Sequence, residues 1–191
     1  MSGNSIAGVG HRVAGHAVSH QQETIVFQRG TVRVRRARLE DAETIARFNR
    51  QMAQETEAIE LDEQRSVAGA RAVVEDPGKG FYLLAEVDGQ VVGQLLVTYE
   101  WSDWRNAWFW WIQSVYVVPE QRRGGVFRSL LDAVLGLAFR QGSVCGLRLY
   151  VEESNIGAQE VYRRCRFTRT SYQIWERPVG HGFDVDLSGA E

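Results

Sequence analysis

Apolar and polar positions alternate from Thr31 to Ala37, as in a strand with one face in solvent. Its arginines read as that solvated face rather than as a nucleic-acid surface. Ile45, Phe48, Asn49 and Met52 then recur at i, i+3, i+4 and i+7, predicting a helix over 41–54 with Glu40 and Asp41 at its positive end. A second helix fits 63–75 and stops at Asp76, Pro77 and Gly78. Gly80 to Val87 and Gln90 to Glu100 are β-rich runs joined by Asp88-Gly89, a strong hairpin signal. Trp101 to Asn106 reads as a polar-aromatic loop, and Ala107 to Val118 as a third long strand ended by Pro119. Gly124 and Gly125 open a helix to about Arg140, with Val126, Leu130, Val134, Leu137 and Ala138 as its buried stripe. A strand over 144–151, a helix over 155–164 and a last strand from Phe167 to Glu176 follow, and Pro178 begins a tail. The order βααβββαβαβ predicts an α/β (α+β) class: a mixed sheet of about six to seven strands in a three-layer fold, with helices on both faces.

Length adds the domain count. With 191 residues, at about 150 per domain, the chain holds one domain and its tails. Residues 1–30, rich in Gly, Ala, Ser, Val and His, read as a mobile extension; 31–178 is the domain and 179–191 a tail. Apolar residues are 44% of the chain, which supports a core, yet no run approaches the ~18 residues of a membrane span. A net charge of −2 gives no pull toward nucleic acid or anionic lipid. Cys145 and Cys165 lack metal-ligand spacing and read as small core residues in a reduced, cytoplasmic protein. No secretory signal is expected at the N-terminus. All four histidines (His11, His16, His20 and His181) sit in the tails, which disfavours a buried histidine-based nucleophile engine and leaves no metal site.

One stretch carries chemistry. From Val115 to Leu131 a strand ends at proline, and a basic, glycine-containing loop feeds a helix. Helix-start N–H groups are unpaired and partly positive, glycines let backbone approach an anion, and Arg122, Arg123 and Arg128 add charge. This is a phosphate cradle, though neither a Walker loop nor a GxGxxG motif.

Here the chain resembles the GCN5-related N-acetyltransferase (GNAT) superfamily, which carries Arg/Gln-x-x-Gly-x-Gly/Ala between its fourth strand and third helix. Arg122 and Gly125 fit, while Phe127 stands where Gly or Ala is usual. Downstream, Asn155, Ala158, Tyr162 and Phe167 also follow the family's pattern, and Arg166 replaces a Gly. The resemblance covers about residues 31–177. It implies a sheet splayed between strands 4 and 5, here 110–118 and 144–151, admitting acetyl-coenzyme A (acetyl-CoA) as co-substrate. Backbone near Val115 and Val117 would hold the pantetheine arm. The N–H groups from Arg123 through Gly124, Gly125, Val126 and Phe127 to Arg128, with Arg122 beside them, would hold the pyrophosphate. Asn155 would meet the pantetheine or a buried water.

The implied reaction transfers an acetyl group to a primary amine by direct attack in a ternary complex. Tyr162 occupies the family's general-acid position, and the Val117 N–H is the implied oxyanion donor. Gln113 stands where polyamine-type members place Glu, so a water chain, Glu100, Glu57 or a pre-deprotonated substrate serves as base. Each residue keeps a plainer alternative: Tyr162 as packing, Asn155 as a helix cap, the arginines as a solvated loop.

Five of the six tryptophans lie between Trp101 and Trp111. With Glu100 and Asp103 they would cage an organic cation, or form core or a dimer face. Glu55, Glu57, Glu60 and Asp62 lie between the first two helices, as an acceptor wall or an ordinary charged loop. Glu57, Trp101, Asp103 and Gln113 are accordingly the candidate acceptor residues. A small cationic amine is favoured over a protein N-terminus or lysine, and the family implies a homodimer. The competing reading is a non-catalytic acyl-CoA-binding module.

Overall fold

The structure is a computed structural model that describes residues 25–177 and 179. The four histidines and most of the expected extension lie outside the described residues. The chain divides into two compact units, Met1–Leu149 and Tyr150–Glu191.

The first unit holds β1 (Ile25–Arg29), β2 (Val32–Arg36), α1 (Ala42–Glu57), α2 (Glu63–Glu75), β3 (Phe81–Val87), β4 (Gln90–Ser102), β5 (Ala107–Val117), α3 (Val126–Gln141) and β6 (Val144–Arg148). Strands β1 to β6 lie in chain order in one six-stranded sheet. Every pairing is antiparallel except β5 with β6, which is parallel. Among the described residues a strand already runs from Ile25, ahead of the expected Thr31, because Gly30 (φ 56°) and Thr31 turn the chain back onto β2. The Asp88-Gly89 hairpin is as read: both residues have positive φ (51° and 76°), the conformation of a type I′ turn.

Strand β3 is buried on both faces from Phe81 to Glu86, which is why it reads as an unbroken apolar run. One face packs under α1 and α2, where Ile45, Ala70, Tyr82, Leu84 and Leu96 form a cluster. The other faces α3, whose Leu137 and Arg140 line a cleft of about 430 Å³ with Phe81, Tyr99, Trp108 and Trp110.

Two expectations fail in β2 and β6. Arg35 is not on a solvated face: it is 7% exposed, gripping Asp41 (2.7 and 2.9 Å) and Glu86 (2.6 Å). Cys145 is exposed rather than core, its thiol donating to the Trp108 carbonyl.

The second unit contains α4 (Ile156–Arg164), begun by Asn155 as predicted. Phe167–Glu176 is not a strand. No other strand lies in that unit's described residues to pair it, and Tyr172 and Trp175 are largely exposed.

Candidate active site

The site of the first unit starts from a bulge. Gln94 opposes Tyr116 and Leu96 opposes Gln113, so β5 carries one residue more than β4 between them. Ser114 takes up the excess at φ 48°, unusual for a non-glycine residue. A buried polar set backs it. Gln94, 0% exposed, donates to Asn49 Oδ1 at 2.7 Å and to the Ser114 carbonyl at 3.4 Å. Asn49 in turn donates to the Tyr82 hydroxyl at 3.4 Å.

Beyond the bulge, Val117 opposes Gly93, and the next residue, Val118, donates to the Val92 carbonyl at 3.0 Å. Antiparallel pairs alternate between bonded and non-bonded, so the Val117 N–H and C=O turn away from β4. They turn toward the side on which β6 has already ended: β6 pairs β5 only as far as Trp111 and Arg148. Among the first unit's strands none pairs this edge at Val117, as a sheet splayed between strands 4 and 5 requires.

The chain then runs into the N-terminus of α3. Gly125 is the N-cap at φ 82° and offers no side-chain cap, the first turn holds no acid, and Ser129 N–H is bonded back to the Gly125 carbonyl. The amides before Ser129 belong to the helix's first turn, which lacks intrahelical acceptors. Arg123 is also left-handed, at φ 66°, and a Cβ on Gly124 would press the Gln121 carbonyl at 3.2 Å. Val126 is buried against Gly93, where a Cβ would meet Val126 Cγ1 at 3.0 Å and the Tyr116 carbonyl at 3.1 Å. That close approach seats the helix end on the tip of β5. Uncapped amides, an acid-free first turn and flanking guanidiniums suit a pyrophosphate. Phe127 is half-buried, and Arg128 pairs with Asp132 at 3.0 Å.

Arg122 is engaged from two sides. Its Nε donates to the Val117 carbonyl at 2.9 Å and its Nη2 to Glu55 of α1 at 2.6 Å. The other oxygen of Glu55 accepts from the Tyr116 hydroxyl at 2.9 Å. Burial, and then the adjoining Glu55 carboxylate, push the Tyr116 phenol above its ordinary pKa.

In the second unit, Asn155 Oδ1 caps α4 by accepting from Ala158 N–H at 3.0 Å. Its amide nitrogen remains a possible donor to a ligand, so cap and ligand roles are compatible. Tyr162 lies in the last turns of α4 with its ring edge-on to Phe167 at 6.0 Å, and burial raises its phenol pKa. Arg166 holds the left-handed position (φ 67°) where the family pattern has Gly.

The family model for the Acetyltransferase (GNAT) family matches residues 37–167. The chain belongs to this family. It is 41% identical to a possible acetyltransferase from Clostridium difficile 630, with 80% of this chain and 100% of that one covered and a TM-score of 0.74. A predicted acetyltransferase with acetyl-CoA from Clostridium acetobutylicum shares the fold at 15% identity, covering 76% and 96%, with a TM-score of 0.64. So does a ribosomal-protein-alanine N-acetyltransferase from Brucella melitensis biovar Abortus 2308, at 19%, 78% and 99%, with a TM-score of 0.61. No curated protein matches the chain. The chain is thus a GNAT acetyltransferase, a member of a family that uses acetyl-CoA.

Within this GNAT unit the expected residues fall into two groups. Val115, Val117, Gln113 and the loop from Arg122 to Arg128 share one end of the β4–β5 hairpin. Glu100, Trp101 and Asp103 lie at the other. Glu100 bonds Trp111 Nε1 (2.5 Å) and Arg148 (2.6 Å), and Trp111 is six residues from Val117, roughly 20 Å along a strand. Glu100 and Val117 thus lie toward opposite ends of the β4–β5 hairpin. Trp101 packs edge-on against Trp108 (4.9 Å) on the α3 face, and Asp103 caps its own turn at Trp104 N–H. Glu57 ends α1 two residues after Glu55, off the side that meets Arg122. Gln113 donates to Thr98 at 2.8 Å.

Sequence reasoning missed Gln94 and Asn49 and gave Glu55 no separate role. Asn49 was legible as a polar residue on the apolar stripe of α1. The partners of Glu55 carry no local signal, because they lie 61 and 67 residues away.

Proposed function

We propose that this chain transfers the acetyl group of acetyl-CoA to a primary amine by direct attack in a ternary complex, with a small cationic amine as acceptor. The observation that carries the reading is the open β5 edge at Val117 leading straight into the uncapped N-terminus of α3. One element holds an extended arm by backbone, and the next holds its phosphates by backbone and charge. Bound there, acetyl-CoA supplies an activated thioester. The Val117 N–H is turned toward the gap as a donor for its carbonyl oxygen. Tyr162, with its pKa raised by burial, keeps a proton on its hydroxyl through neutral pH and is the general acid of the proposal. Gln113, bonded to Thr98, is no base, so the amine arrives neutral or loses its proton through water. Two free cysteines fit a reducing, cytoplasmic setting.

The test is calorimetric titration of the protein with acetyl-CoA, then thiol release against a panel of primary amines. Single-site micromolar binding and turnover on an amine are the expected results. Tyr162→Phe should cut turnover sharply and leave acetyl-CoA binding in place. Tight binding without turnover on any amine would favour the acyl-CoA-binding module, for which Gln113 at the base position is the supporting observation.

A further inference from the structure

The Glu55 carboxylate stands out as a charged group that the reaction does not otherwise use. It sits in the last turn of α1, its side chain 40% exposed, yet both oxygens are fixed: Oε1 by the Tyr116 hydroxyl and Oε2 by Arg122. Arg122 simultaneously donates to the carbonyl of Val117, the residue whose N–H turns to the gap. The two hydrogen bonds and the guanidinium between them limit the distance from Glu55 to Val117 to roughly 8 Å. That is close enough for a second charge a few carbons from an amine reacting at Val117. An ionised carboxylate has about four lone-pair sites, and the two bonds leave capacity for another donor. Tyr116 and Arg122 thus hold the group still without exhausting it.

We infer that Glu55 is a specificity-determining residue, binding the non-reacting ammonium of an acceptor that carries a second positive charge beside the amine to be acetylated. This rests on the amine-acceptor reading above and deepens it to diamine-like substrates. The distal Glu100 does not compete for the role. Its partner Trp111 lies six residues, roughly 20 Å, along β5 from Val117.

The experiment compares 1,4-diaminobutane with 1-aminobutane as acceptors in the full-length wild type, Glu55→Gln and Glu55→Asp. The wild type should prefer the diamine in kcat/KM by tenfold or more. Glu55→Gln should bring that preference close to one through the KM of the diamine, with the KM of acetyl-CoA moving less than threefold, and Glu55→Asp should restore most of it. An unchanged preference in Glu55→Gln overturns the inference. So does a loss confined to acetyl-CoA affinity, which would make Glu55 a mere anchor for Arg122. If the wild type acetylates no amine at all, the amine reading itself fails, and the Glu55 assignment with it. If the wild type acetylates both amines equally, the Glu55 assignment alone falls.

Discussion

Replacing Gln94 by Leu should leave the fold nearly as stable and the enzyme much slower. The stability terms oppose one another. The substitution removes the 2.7 Å bond to Asn49, net about 1 kcal/mol, and leaves Asn49 Oδ1 without that donor. Asn49 is only half-buried, so water relieves part of the second loss. Against this, Gln94 Oε1 has no hydrogen-bond partner among the described residues, a buried orphan costing about 1–3 kcal/mol that Leu abolishes. Leu also fills nearly the same volume. The sum is within about 1 kcal/mol of zero, a shift of roughly 2–4 °C in a domain of this size.

The catalytic effect has no such cancellation. The Gln94 amide reaches the carbonyl of Ser114, the residue holding the bulge at φ 48°. A left-handed non-glycine residue is strained by about 1–2 kcal/mol and relaxes when its supports are removed. Any relaxation moves Val115 to Val117, and a displacement near 1 Å can slow a reaction by ~10²-fold. Thermal unfolding and steady-state kinetics on the same preparation decide the matter. The expected pair is a small change in melting temperature and a kcat lowered about 10- to 100-fold. A kcat within twofold of wild type refutes the link from Gln94 to the bulge. A loss above about 3 kcal/mol refutes the stability arithmetic.

Arg35→Met strands the buried carboxylates of Asp41 and Glu86 and should lower stability by about 3–5 kcal/mol in urea unfolding; adding Asp41→Asn and Glu86→Gln should recover most of it. Burial alone would push the Asp41 carboxyl up, but Arg35 and the Arg38 N–H together hold it below its ordinary pKa. Its stabilisation is therefore complete above the ordinary carboxylate range and is lost as pH falls through that range toward the lowered value, which acid titration of unfolding should register in the wild type and not in Arg35→Met. Gly125→Ala adds left-handed strain with nothing nearby to clash, whereas Arg123→Gly removes strain together with a charge. If backbone amides hold the pyrophosphate, calorimetry will find acetyl-CoA bound at least fivefold more weakly by the first variant and within about threefold of wild type by the second.

How legible the molecule was depends on how local the determinants are. The hairpin was readable because Asp88 and Gly89 need nothing but their own dihedrals. The cradle was readable because glycines, arginines and a helix start lie within seven residues. Arg35 was misread because alternation over Thr31–Ala37 places an arginine outward, while Asp41 and Glu86 meet it only in the folded sheet. The last strand was overcalled for the converse reason. Alternation at Tyr172 and Ile174 satisfies the pattern, but a strand also requires an edge to pair with. The acidic residues near the first helix were legible as a group and not individually. Only the last turn of α1, running to Glu57, turns Glu55 and not Glu57 toward Arg122.

The same contrast separates the two halves of the reaction. In the proposed reaction the cofactor side is built from main-chain groups: the outward edge of Val117 and the first turn of α3. Main chain is chemically uniform, so its usefulness depends on conformation, which glycines, a proline and a bulge fix over a short stretch of sequence. That is why Phe127 at a customary Gly/Ala position leaves the cradle's amides in place. The proposed acceptor side depends instead on side chains brought from α1, β4 and β5, and each is set by its partners: Glu55 by Tyr116 and Arg122, Gln113 by Thr98. Arg122 belongs to both halves. Its place in the motif suggests a phosphate ligand, yet its guanidinium ties Val117 to α1. A signature residue can therefore hold the cofactor strand and the acceptor wall in one register without its charge being the part that binds the cofactor.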